Sequence, residues 1–216
     1  MTDEVVEAVP KSVMDDVYTR AKVSVWWDLE NWDVCKDLDP FKIKDNICSA
    51  LAEMKYRGDV SIFCFGDTSI IPQDFQSALG IPINHVPAAN KSEKDLRIVA
   101  GMLDWSFDNP PPANYLLISD NVQFTYAVMR LLEMRYNILL AISHQNAPER
   151  SLLGPAKIVW LCTSLFAGGS PIYIRESPIY TREFAGGSPI YIRGISNKLD
   201  TATGSDSEDS EVHAGN

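Results

Sequence analysis

The feature that most constrains the fold of this chain is an alternation. Five short apolar runs, VSVWW at 23–27, VSIFCF at 60–65, IPINHV at 81–86, YLLIS at 115–119 and YNILLAIS at 136–143, are separated by segments long enough for helices. Runs that stay apolar at nearly every position suit strands buried on both faces. Such strands alternating with helices build a mainly parallel sheet covered on both sides. The expected class is α/β, with a central sheet of about five strands.

The intervening segments carry helix punctuation. In DPFKIKDNICSALAEMKYRG, Asp39 stands as N-cap, Pro40 at the first helical position and Gly58 beyond the end; IPQDFQSALG again begins with a proline and ends with a glycine. A third helix is expected at about 92–107 with Leu96, Val99, Met102 and Leu103 on its inner face. A fourth, at about 122–133, places Phe124, Ala127, Val128, Leu131 and Leu132 inward. A last helix at about 155–165, with Val159, Trp160 and Cys162, would close the folded unit before Gly168 and Gly169.

Four regions follow from this reading: an acidic N-terminal extension at 1–20, with a short helix near 13–21 or no fixed structure; the folded domain at 21–168; a repetitive tract at 169–197; and an acidic, disordered tail at 198–216. In the tract, FAGGSPIYIR occurs at 166–175 and again at 184–193, with a further SPIY between them. Two copies fall short of the three or so stacked units a solenoid needs. The tract is either a tolerated local duplication or a strand-forming segment that adds to a partner protein or to the domain's own edge. The acidic tail is a second region open to protein partners.

Charge narrows the function. The formal net charge is -10, and residues 21–168 hold 17 acidic against 13 basic side chains, leaving the domain at -4. A sequence-independent grip on phosphate backbones needs lysine and arginine in excess, so any nucleic-acid site must be local. No apolar run approaches the roughly 18 residues of a membrane helix, so no membrane insertion is expected. The start, MTDEVVEAVP, lacks a secretory pattern, so the expected location is intracellular and cytoplasmic. Cys35, Cys48, Cys64 and Cys162 form no CxxC pair and read as reduced structural thiols.

In an open parallel sheet, ligands bind outside the carboxyl ends of the strands. Asp28 stands there after the first run with Asn31 three residues on, Asp67 follows the second, and Asp120 with Asn121 follows the fourth. Oxygens presented in this way suit a hard cation such as Mg²⁺. Each residue also has a plain role as a turn former or helix N-cap. Trp26 or Trp27 belongs to the core, while Trp32 can stack on a splayed base or be buried. His85 reads as a structural imidazole, and His144 and His213 have no partner legible in the sequence.

Taken in order, VSVWWDLEN, VSIFCFGDTS, INHVPA, KDLRIVAGMLDW, DNPPPANYLLIS, RYNILLA and VWLCTSLFAGG resemble the NYN domain of the limkain-type family, also called meiosis regulator and mRNA stability factor, from about Val23 to Gly169. The resemblance implies a PIN-like three-layer sandwich of the ribonuclease superfamily. In active members it implies endoribonuclease chemistry with Mg²⁺ or Mn²⁺, clustered aspartates holding the ion that activates water against a phosphodiester. It further implies single-stranded RNA as partner, post-transcriptional regulation as the process and, for some members, peroxisome association, although EVHAGN carries no SKL-like address.

Carried over by position, Asp28 and Asn31 match the first acidic motif and Asp95 matches the aspartate opening the third helix. With Asp120 and Asn121 they make up the implied catalytic set, and Asp28, Asp95 and Asp120 are the implied metal ligands. Lys91, Lys94 and Arg97 surround Asp95 as candidates for RNA phosphate contacts, with Trp32 for a base; the basic trio reads equally as a solvated helix face. The chain also departs from the pattern. Gly101 stands where the family has an aspartate, with Asp104 three residues further on. Where the family reads like SGDRDF, this chain has Ser119-Asp120-Asn121-Val122-Gln123-Phe124, so Asn121 and Gln123 replace two carboxylates and Asp120 falls one position early. Neutral amides cannot offset a cation's charge. Two readings therefore stand: a metal-dependent endoribonuclease, and an inactive module of the same fold that binds RNA or protein.

Overall fold

The computed structural model describes residues 17–143 and 150–174, excepting the side chains at 31–33, 150, 173 and 174. The N-terminal extension before 17, the acidic tail, most of the repeated tract, His144 and His213 lie outside the described residues. Of the helix expected near 13–21, residues 17–19 are described and helical.

The chain alternates as its apolar pattern demands. Strand β1 (Val23–Asp28) runs into a 3-10 helix at Leu29–Cys35, followed by α1 (Pro40–Glu53), β2 (Val60–Gly66), α2 (Gln73–Leu79), β3 (Ile83–His85), α3 (Lys91–Asp108) and β4 (Asn114–Ile118). A 3-10 turn at Val122–Phe124 leads into α4 (Thr125–Glu133), then β5 (Asn137–Ile142), α5 (Arg150–Leu153), β6 (Ile158–Leu161), α6 (Cys162–Leu165) and β7 (Tyr173–Ile174). The sheet order is β3-β2-β1-β4-β5-β6-β7. The first six strands are parallel, and only two-residue β7 is antiparallel, on β6. The result is the α/β sandwich expected, with six parallel strands instead of about five.

All six residues of β1 are buried, because the strand sits mid-sheet with helices on both faces. Side-chain alternation divides its residues between two cores. Val23, Val25 and Trp27 pack with Ile43, Ile47 and Leu51 of α1, and Trp26 packs with Ile98 and Met102 of α3 and Val128 of α4. Burying each large aliphatic side chain stabilises the fold by roughly 1.5–3 kcal/mol. Asp28 continues the Trp26 face and so points toward α3.

Local signals place α1 well. Asp39 Oδ1 accepts the Phe41 amide at 3.1 Å, and Pro40 opens the helix. The expected terminal glycine is different: the helix ends at Glu53, and Lys55 takes the left-handed turn with φ 70°. Gly58 instead packs against the chain at Ala21, whose carbonyl oxygen would lie 2.1 Å from any added Cβ. In α2, Pro72 is the N-cap residue, one position earlier than expected, and Gly80 closes the helix at φ 62°.

Two expectations need correction. The inner face of α3 is formed by Lys94, Ile98, Met102 and Ser106, whereas Leu96 is 69% exposed and Leu103 42% exposed. This helix is apolar on two sides, and Ile98 outcompetes Leu96 for the sheet. The expected last helix at 155–165 is instead β6 followed by the single helical turn α6. IVWL pairs in parallel with β5, because a four-residue run with β-branched members fills an inner strand position as well as it fits a helical pattern. β7 falls past residue 168, in the first copy of the repeated tract, and adds to the domain's own edge.

Candidate active site

Between β1 and β4 the order of the sheet reverses direction, and the chains leaving the two strands part to open a crevice. A cleft of ≈ 430 Å³ lies there, its lining including Trp27, Asp28, Glu30, Asp95, Asp120 and Asn121. The structure thus brings Asp28, Asp95, Asp120, Asn121 and Lys91 to one cleft. Asn31 and Trp32 lie on the 3-10 helix after β1, with side chains outside the described residues.

Asp28 is held from three directions. Its Oδ1 accepts from Lys94 Nζ at 2.7 Å and from the Glu30 amide at 3.1 Å, and its Oδ2 accepts from Ser119 Oγ at 3.1 Å. Burial pushes this carboxyl above the usual carboxylate range, with the Lys94 ammonium pulling the other way. Lys94 also donates to Glu30 Oε2 at 3.0 Å, while Lys91 pairs with Glu30 Oε1. Burial would lower the Lys94 pKa, but hydrogen bonds and charge from Asp28 and Glu30 outweigh it and hold the amine above the ordinary lysine range. For Glu30, partial burial is likewise outweighed, by Lys91 and Lys94, and its carboxyl is held low.

The other two carboxylates are occupied as well. Asp95, in the first turns of α3, accepts from Asn121 Nδ2 at 2.9 Å through Oδ2; its buried Oδ1 has no partner among the described residues. Asp120 turns to the end of β5, where it accepts the Ser143 amide at 2.9 Å and the Ser143 hydroxyl. Asn121 also works as a cap: its Oδ1 accepts the Gln123 amide at 3.0 Å, starting the turn that leads into α4. Gln123 lies exposed at the rim.

These placements revise several assignments. Lys94, expected at an RNA phosphate or on a solvated face, has a side chain only 7% exposed and spends its charge inside the protein. Arg97 is exposed, pairs with Glu93 at 2.6 Å, and does not line the cleft. Asp67 does not line it either: it accepts from Ser69 N, Ser69 Oγ and Ala88 N, which hold its carboxyl down at about 2. His85 accepts from the Thr68 amide at 3.2 Å. Trp26 and Trp27 are both buried. Sequence reasoning missed Glu30, Ser119 and Ser143; the signal for Glu30 was its place two residues after Asp28 in WDLEN. Cys162 lines the cleft, but burial, and next the charge of Asp120, push its thiol up, so it is no nucleophile near neutral pH.

A divalent ion does not fit this arrangement. Asp28, Asp95 and Asp120 each accept from a protein donor, Lys94, Asn121 and Ser143 respectively, which leaves Asp95 Oδ1 as the one oxygen of the three carboxylates that is buried without a partner among the described residues. Among the described residues no three His, Cys, Asp or Glu side chains are grouped to hold a metal ion. Gly101 is closed to a replacement carboxylate, since a Cβ there would lie 2.7 Å from Cζ3 of Trp26. Among the described residues, no helix is long and apolar enough to cross a membrane.

A mainly parallel α/β sandwich whose carboxylates gather at the β1/β4 reversal is a PIN-like fold. The NYN domain model matches residues 22–156, more than half of the chain, and the chain belongs to the NYN-domain family. No curated protein matches it. The crystal structure of a protein of unknown function from Vibrio parahaemolyticus is similar, with a TM-score of 0.48 and 15% identity, covering 66% of this chain and 93% of that one.

Proposed function

We propose that this NYN-domain protein acts in RNA metabolism and post-transcriptional regulation of gene expression as a module that binds single-stranded RNA at the β1/β4 cleft without cutting it through a divalent ion. The family supports RNA as the ligand class. The observation that carries the loss of cleavage is the Asn121–Asp95 hydrogen bond at 2.9 Å: an amide donates where a metal-binding centre needs a second charged oxygen. With four carboxylates and one lysine, Lys91, among the described residues that line the cleft, recognition falls on bases and ribose more than on phosphates.

One observation favours the endoribonuclease alternative with Mg²⁺ or Mn²⁺. Asp95 Oδ1, buried and without a partner among the described residues, belongs to a residue lining the cleft, and a cation would satisfy it. Incubating the full chain with labelled unstructured RNA in Mg²⁺, Mn²⁺ or EDTA separates the two. The expected result is binding on the order of micromolar, equal in all three conditions, with the RNA intact. Metal-dependent cleavage abolished by Asp28→Asn would establish the enzyme instead. A peroxisomal location and protein partners on the repeated tract or acidic tail are further proposals that rest on the sequence.

A further inference from the structure

We infer that Lys94 is the resident cation of this cleft: its ammonium takes the position between Asp28 and Glu30 that a divalent ion would need, and makes the acidic centre self-sufficient. The inference rests on the metal-independent part of the functional reading and not on RNA as the ligand.

Two consecutive elements and a helix distant in sequence meet at one nitrogen. Lys94 Nζ lies 2.7 Å from Asp28 Oδ1 at the end of β1 and 3.0 Å from Glu30 Oε2 on the 3-10 helix, and the lysine itself comes from the first turns of α3. These distances are those of charge-assisted hydrogen bonds. A Mg²⁺ ion binds oxygen at roughly 2.0–2.1 Å and often needs only one or two carboxylates, the rest of its shell being water. Asp28 and Glu30 would be such a pair if Lys94 were absent. With Lys91 on the other oxygen of Glu30, two ammonium groups face two carboxylates, and the cluster is neutral without any ion. A divalent cation arriving between Asp28 and Glu30 meets two ammonium groups already paired with these two carboxylates.

The side chain has no exit. Its aliphatic stem lies on the inner face of α3 with Ile98 and Met102, and turning outward would leave Asp28, itself 6% exposed, as a buried unpaired charge. Lys94 therefore differs from Lys91, which is mostly exposed and free to rearrange.

The experiment titrates Mn²⁺ into the full chain and follows free Mn²⁺ by electron paramagnetic resonance and unfolding by thermal shift. The wild type is expected to show no stoichiometric Mn²⁺ uptake and the same unfolding midpoint in Mn²⁺ as in EDTA. Lys94→Ala is expected to take up one Mn²⁺ at least about tenfold more tightly and to unfold at higher temperature with the ion present, because the vacated carboxylates then bind the native state. Lys94→Arg, which keeps a cation, stays blind to Mn²⁺. One Mn²⁺ bound by the wild type and lost in Asp28→Asn overturns the inference. So does Lys94→Ala binding Mn²⁺ no better than the wild type. Should Lys94→Ala not fold alone, refolding that requires Mn²⁺ supports the inference, and refolding indifferent to Mn²⁺ counts against it. Failure to bind RNA leaves these outcomes unchanged, so the two readings fall separately.

Discussion

Asn121 serves Asp95 and its own turn at once: its Nδ2 donates to Asp95 on α3 while its Oδ1 caps the turn entering α4. Through these two bonds one side chain fastens α3 to the β4 end of the sheet. Asn121→Asp keeps the capping oxygen but sets a carboxylate against Asp95. We expect the variant to lose about 1–3 kcal/mol at neutral pH in EDTA, measured by urea unfolding, from the lost donor and the new repulsion. The deficit should shrink in acid, where the two carboxyls can share a proton.

Lys94→Met preserves most of the stem and deletes the charge. Removing one partner of a buried pair typically costs about 3–5 kcal/mol, because the other charge is left uncompensated. Chemical denaturation in EDTA should show a loss of that size, while Arg97→Met, which breaks an exposed pair with Glu93, should change stability by less than about 1 kcal/mol.

Acid dependence should be visible at Asp67. Its carboxyl is held down at about 2 from an ordinary 3.8, by the Ser69 hydroxyl first and then the Ala88 and Ser69 amides. A depressed folded-state pKa contributes stability that is complete above the unfolded value and disappears as pH falls through the folded one. Between about 3.8 and about 2, the wild type should therefore lose stability relative to Asp67→Asn. Unfolding series at stepped pH test this; parallel curves across that window would show that the hydrogen bonds do not favour the ionised form.

The two apolar sides of α3 give opposite predictions for neighbouring residues. Ile98→Ala empties a fully buried position and should cost about 2–5 kcal/mol. Leu96→Ala, on the exposed side, should stay within about 0.5 kcal/mol. Thermal unfolding of the pair would show which face meets the sheet.

Much of the fold was legible because its signals are local. The apolar runs of β1, β2, β4 and β5 are continuous, and Asp39 with Pro40 marks the start of α1 almost to the residue. β6 was lost because four apolar residues satisfy strand and helix patterns alike, and the rotation of α3 because either of its sides could face a core. The place of Asp28 at the cleft was legible from its position at a strand end. The role of Lys94 was hidden: nothing near KSEKD reveals that a carboxylate 66 positions earlier, at Asp28, folds against it.

The closeness of Gly101 to the Trp26 ring ties the two positions together. A Cβ at 101 would lie 2.7 Å from Cζ3 of Trp26, so any side chain there needs the indole displaced or replaced. Removing that indole, stacked on Phe63 at 4.4 Å and buried in the α3 core, costs about 3–5 kcal/mol. The packing of one aromatic ring thus sets what the neighbouring helix can carry at 101.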